Sequence, residues 1–183
     1  MNWLQSIKHG YSLKVFRNRG KRVKFPHRFV DYEEAGRIGF IINIALMSGK
    51  ELVAFTKYIT QLEESGKKIL VIELNLRRKS EPVFSGSSAS IFINPKQINW
   101  LDFPSVSVLR QINKFECDIL YNLDTSERMT SRFICGLSNA SMRVGIHEEE
   151  YEGFYELLLQ IKKGARLREV LDTFERYTKM LKK

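Results

Sequence analysis

The chain has 183 residues, 43% hydrophobic and 28% charged, the composition of one globular domain with a real core rather than of a disordered chain. No apolar run reaches the roughly 18 residues that span a bilayer, and Lys8, His9, Lys14 and Arg17 interrupt every apolar stretch near the N-terminus, so neither a membrane span nor a secretory leader is expected. Its two cysteines, Cys117 and Cys135, share no CxxC spacing and no histidine cluster; a zinc site or disulfide framework is not expected, and a reducing, cytoplasmic setting is.

The formal net charge of +9 is unevenly placed. Lys8, Lys14, Arg17, Arg19, Lys21, Arg22, Lys24 and Arg28 all precede the first acid, Asp31, which leaves the remainder of the chain close to neutral. Such asymmetry points to an anionic partner for the N-terminal segment, RNA first and an acidic membrane face second. The plain alternative is a solvated basic tail.

In chain order, Trp3, Leu4 and Ile7 fall at helical spacing, and Gly10 is expected to end that turn or two of helix. The basic stretch Lys14–Lys24 follows, then Phe25-Pro26, where proline disfavours helix at its predecessor. These residues make up a basic arm, 1–34, ahead of a folded domain, 35–183. Within the domain, Ile38–Leu46 is a near-continuous apolar run, the mark of a strand buried on both faces. A helix is predicted over 50–64, burying Leu52, Val53, Phe55, Tyr58, Ile59 and Leu62, with Gly66 at its C-terminal cap. Ile69–Leu74 is the second buried strand, and a parallel crossover is the normal outcome of such a unit.

Residues 75–90 read as a polar surface loop and Ile91–Ile93 as a short strand. An aromatic connector, 98–104, is expected to pack over a sheet edge. Next comes a helix over 105–116, burying Val106, Leu109 and Ile112. A strand is predicted over 117–124, then a helix to Leu137 capped by Thr125 or Ser126. Short strands are expected at 142–146 and within 154–161. A last helix, 166–181, buries Leu167, Val170, Leu171, Phe174, Tyr177 and Leu181. The whole pattern predicts an α/β protein: a Rossmann-like three-layer sandwich with a mostly parallel sheet and a basic N-terminal arm.

The segment 117–146 carries a resemblance. Asp118-Ile119-Leu120-Tyr121-Asn122-Leu123-Asp124, a helix, and then Ala140-Ser141-Met142-Arg143-Val144-Gly145-Ile146 resemble the N-terminal domain of heptosyltransferase-type glycosyltransferases. Ile38–Leu74 is similar in outline to the start of that domain. The resemblance implies the fold. It does not carry the activity, because those enzymes use a second such domain and a catalytic aspartate after the first strand. Here that position reads Ala45-Leu46-Met47-Ser48-Gly49-Lys50, with no carboxylate before Glu51. In size and layout the chain also resembles a small uncharacterised bacterial family of single-domain α/β proteins with a basic N-terminus.

Ligands of open α/β sheets bind beyond the carboxyl ends of the strands. The residues expected there are Ser48 and Gly49 after the first strand, and Asp124, Thr125 and Ser126 after the fourth. Their structural alternative is helix capping and dipole complementation. No GxGxxG, GxxxxGK[ST], nucleophile elbow or triad occurs, and His9, His27 and His147 share no metal-ligand spacing. The reading therefore includes no catalytic residue, no cofactor and no metal.

The arm has a mechanism attached. Lys14, Arg17, Arg19, Lys21, Arg22, Lys24 and Arg28 can neutralise phosphates while Tyr11, Phe16, Phe25 and Phe29 stack on bases. A membrane surface could instead use Trp3, Leu4 and Ile7, and the arm could also pack along its own body through Phe16, Phe25 and Phe29. The sequence thus predicts a non-catalytic, cytoplasmic protein that contacts RNA, in a ribosomal setting. The alternatives are a glycosyltransferase-related enzyme or remnant peripheral to the inner membrane, and a scaffold subunit with a protein partner.

Overall fold

A computed structural model describes residues 3–21, 28–77, 81–84, 89–126 and 128–181. Six strands, β1 (Arg37–Asn43), β2 (Lys68–Leu74), β3 (Ala89–Ile93), β4 (Ile119–Asn122), β5 (Met142–Ile146) and β6 (Leu157–Leu159), form one sheet in the order β3-β2-β1-β4-β5-β6. Every neighbouring pair is parallel, with Ile38 in register with Ile69 on one side and Ile119 on the other. The expected Rossmann-like parallel sheet is thus present, and it is wholly parallel. The order reverses between β1 and β4, which creates the crevice where such sheets bind ligands.

Parallel strands need crossovers, and these cover both faces of the sheet. Helices α2 (Gly49–Glu64) and α5 (Leu167–Met180) cover one face, packing Phe55, Ile59, Val170 and Phe174 on Ile38, Phe40, Ile42 and Val71. Helices α3 (Val106–Phe115) and α4 (Met129–Gly136) cover the other, over Ile41, Leu70, Ile72 and Leu120. The period-two alternation of β1 produces this division. Gly66, at a φ of 88°, follows α2 in the left-handed conformation that glycine adopts without strain.

Three residues expected inside lie outside. Val53, Val106 and Tyr177 are exposed, each on the edge of an apolar stripe wider than the surface its helix covers. The fourth helix also starts late. Ser126 N–H donates to Asp124 Oδ1 at 3.0 Å, a local turn that competes with helix, so α4 begins at Met129 after Arg128 and neither Thr125 nor Ser126 caps it.

The N-terminal segment differs most from expectation. Helix α1 runs from Trp3 to Gly20, straight through Gly10. A mid-helix glycine costs about 1 kcal/mol, and tertiary packing offsets it. Phe16 is fully buried among Phe133 of α4, Tyr151 and Phe154, at ring-centre distances of 4.8, 5.9 and 4.3 Å. Leu13 joins the same cluster, and Ser12 Oγ donates to the Leu101 carbonyl at 3.1 Å. A β-carbon on Gly136 would lie 2.5 Å from Phe16 Cζ, so α1 approaches α4 where only glycine fits. All eight residues of α4 are consequently buried, between the sheet and α1. Of the other aromatics expected to pack the arm inwards, Phe29 is exposed and Phe25 lies outside the described residues. Val30, Tyr32 and Ala35 enter the core under α2 and α5.

Candidate functional site

Two regions carry the residues singled out by the sequence. The first is the crevice at the carboxyl ends of β1 and β4. A cavity of about 500 Å³ opens there, lined by Asn43, Ser48, Lys50, Glu51, Asp124, Thr125 and Arg166 among others. Ser48, Asp124 and Thr125, three of the five expected residues, lie on its wall. Gly49 is the first residue of α2 beside it, and Ser126 is tied to it through Asn43 Nδ2 at 3.5 Å.

Asp124 is 2% exposed. Its Oδ1 accepts from Asn43 Nδ2 at 3.2 Å and from Ser126 N–H, whereas its Oδ2 has no hydrogen-bond partner among the described residues. Asn43 is fixed in turn, its Oδ1 accepting from Ala45 N–H. Burying a carboxylate oxygen without a donor is costly, and native structures do so where something other than stability keeps the residue.

Glu51 closes the other side. Its carboxylate accepts from Ser48 N–H at 2.9 Å and Ser48 Oγ at 2.7 Å, the reciprocal cap of α2. These Ser48 bonds, then the Leu167 backbone N–H and the nearby Arg166 charge, hold its carboxyl below the usual range despite some burial. Glu51 thus spends its charge on the converging N-termini of α2 and α5. Lys50 and Arg166 on the rim have no ion-pair partner among the described residues. Sequence reasoning missed Asn43, Lys50, Glu51 and Arg166 as members of one site. Arg166 is too distant in the chain for spacing to reveal it.

The second region is the outer face of α1. Opposite Phe16, the stripe Trp3-Ile7-Tyr11-Lys14 faces solvent, with Leu4 and Arg17 beside it. Trp100, 70% exposed, stacks on Tyr11 at 6.4 Å between ring centres. Of the seven cations expected to bind nucleic acid, Lys14, Arg17, Lys21 and Arg28 are exposed without an ion-pair partner among the described residues. Arg19 lies over the Phe103 ring at 4.6 Å, and Arg22 and Lys24 lie outside the described residues. Lys8 pairs with Asp102 at 2.9 Å and His9 with Glu150 at 2.7 Å, which fastens the flanks of α1 to the body.

Glu148 pairs with the buried Arg132 guanidinium of α4. Both cysteines are free and buried, and burial, with Asp118 adding to it, pushes the Cys117 thiol up to about 12. No group of three metal-ligating side chains occurs among the described residues, nor a helix long and apolar enough to cross a membrane.

The fold and crevice define an α/β protein with an open parallel sheet of the Rossmann-like kind. The chain belongs to a family of unknown function, DUF6913, whose model matches residues 8–181. That match takes in most of α1 together with the sheet. No curated protein and no solved structure matches the chain.

Proposed function

We propose that this protein binds single-stranded RNA on the outer face of α1, without catalysis, as a factor of ribosomes or their precursors. The observation that carries the reading is the exposed Tyr11–Trp100 stack set beside Lys14 and Arg17 on a helix anchored by Phe16, with Lys21 just past its end; these cations have no ion-pair partner among the described residues. Aromatic rings offer bases a stacking platform worth roughly 1–3 kcal/mol per base, and neighbouring cations neutralise phosphates. Anchoring matters, because a helix already ordered loses less entropy on binding than a tail that must fold.

The test is fluorescence anisotropy with a labelled single-stranded RNA over a salt series. The logarithm of affinity should fall linearly with log salt, and changing Lys14, Arg17 and Lys21 to alanine should flatten the slope by about 2, at roughly 0.7 per lost contact. Trp100→Ala should weaken binding about tenfold or more and leave the slope unchanged. Trp3, Leu4 and Ile7 share that face, so vesicles containing anionic lipid form the control arm. Binding that requires such vesicles and fails with Leu4→Ala and Ile7→Ala, with RNA affinity indifferent to the cations, would replace RNA with a membrane surface. Turnover of a nucleotide sugar would favour the glycosyltransferase-related alternative, for which the 117–146 pattern speaks. A stable protein complex that masks Trp100 would favour the scaffold.

A further inference from the structure

We propose that the cavity at the carboxyl ends of β1 and β4 binds a small phosphorylated polyol of the sugar phosphate class. Lys50 and Arg166 would hold its phosphate, and Asp124 would accept from a hydroxyl. The site is separate from α1 and does not depend on how that helix is used.

Three observations converge on that chemistry. The first is Asp124, buried on the cavity wall with Oδ1 doubly occupied and Oδ2 unpartnered. A buried carboxylate oxygen in that state calls for a donor, and a ligand hydroxyl supplies one. Asn43 and the Ser126 backbone already fix the carboxylate, so its orientation is set before any ligand arrives.

The second is the distribution of charge. Lys50, Glu51, Asp124 and Arg166 line the space, which looks neutral by formal count. Glu51, however, is answered locally by the Ser48 and Leu167 N–H groups at the starts of α2 and α5. That leaves the ammonium of Lys50 and the guanidinium of Arg166 to face an anion. A guanidinium and an ammonium suit a dianionic phosphate better than a lone carboxylate.

The third is size and continuity. About 500 Å³ falls within the roughly 300–1,000 Å³ of small-molecule sites. Lys50, Glu51, Arg166 and Leu167 also border a second groove of about 620 Å³, between α2 and α5, walled by Ala54, Phe55, Tyr58 and Leu171. A phosphate at Arg166 would therefore sit at the junction of the two spaces, with the sugar it carries held in the cavity by Asp124.

Isothermal titration of the full chain with ribose 5-phosphate, adenosine 5′-monophosphate, ribose and inorganic phosphate tests the assignment. Ribose 5-phosphate should bind at least tenfold more tightly than phosphate or ribose alone. Asp124→Asn puts an amide donor where the ligand hydroxyl donates. It should cost the phosphorylated sugars at least tenfold and leave inorganic phosphate unchanged. Arg166→Gln, at an exposed position whose loss does not endanger folding, should weaken every phosphorylated probe. Adenosine 5′-monophosphate should bind no more tightly than ribose 5-phosphate, because its base is joined to the sugar and does not reach the groove on the far side of the phosphate. The proposal is overturned if inorganic phosphate binds as tightly as the sugar phosphates, if none of the probes binds, or if Arg166→Gln changes none of the affinities.

Discussion

Two regions around β4 and β5 treat buried charge in opposite ways. Towards α4 and β6, Arg143 makes two bonds to Glu156, at 3.0 and 2.7 Å, and a third to the Gly136 carbonyl at 2.8 Å, while Arg132 takes Glu148 together with the carbonyls of Ser126 and Arg128. At the β1–β4 crevice, Asp124 is as deeply buried, yet among the described residues one of its oxygens has no donor and two cations nearby have no ion-pair partner. The chain has the means to satisfy internal charge and uses them wherever charge serves architecture. Where it leaves charge unsatisfied, architecture is not the reason for the residue.

The strongest challenge to that contrast is to the packing that seals α4. Phe16→Ala should destabilise the protein by about 3–5 kcal/mol, the usual cost of emptying a buried phenyl site. Denaturant unfolding measures it, and a loss below 1 kcal/mol would mean that α1 is an accessory to the core rather than part of it. Arg143→Ala strips Glu156 of its guanidinium partner inside the protein and should cost about 3–5 kcal/mol. Replacing Arg143 and Glu156 together by Met and Leu should recover much of that, since the penalty lies in a buried carboxylate whose charge is no longer neutralised by the guanidinium. The smallest effect sharpens the comparison most. Asp124→Asn retains an oxygen for Asn43 and Ser126 and removes a buried, unanswered charge, so stability should change by no more than about 1 kcal/mol, with a rise as acceptable as a fall. A loss as large as that of Arg143→Ala would make Asp124 architectural and erase the distinction.

Most of the sheet is legible in the sequence because β1, β2 and β4 are continuous apolar runs, and parallel strands buried on both faces leave that trace. The crevice follows from the fold rule, so Ser48, Asp124 and Thr125 are legible too. Arg166 is not, since only the return of the chain after β6 brings it beside Lys50. Helix α1 misleads for a specific reason. Its apolar residues at helical spacing, Trp3, Leu4 and Ile7, face outwards, and its inner face has only Ser12, Leu13 and Phe16 buried. Periodicity finds an apolar stripe but does not say whether the protein covers it. The fourth helix starts late for a related reason: the side chains that signal a cap at Thr125 and Ser126 belong to a turn that Asp124 organises.

The seat of α1 also has a consequence in time. Helix α1 is synthesised well before the rings that enclose Phe16, which belong to residues 133, 151 and 154. At 5–20 residues per second, on the order of ten seconds separate the synthesis of the helix from that of its partners. An isolated helix of this length is marginal in water. For that interval the nascent chain presents Phe16 and Leu13 together with its eight cations beside ribosomal RNA, before the surface that will cover the two apolar side chains has been made. Release of α1 onto α4 is then one of the last long-range events of folding, and anything that holds the helix back during synthesis delays the closing of the molecule.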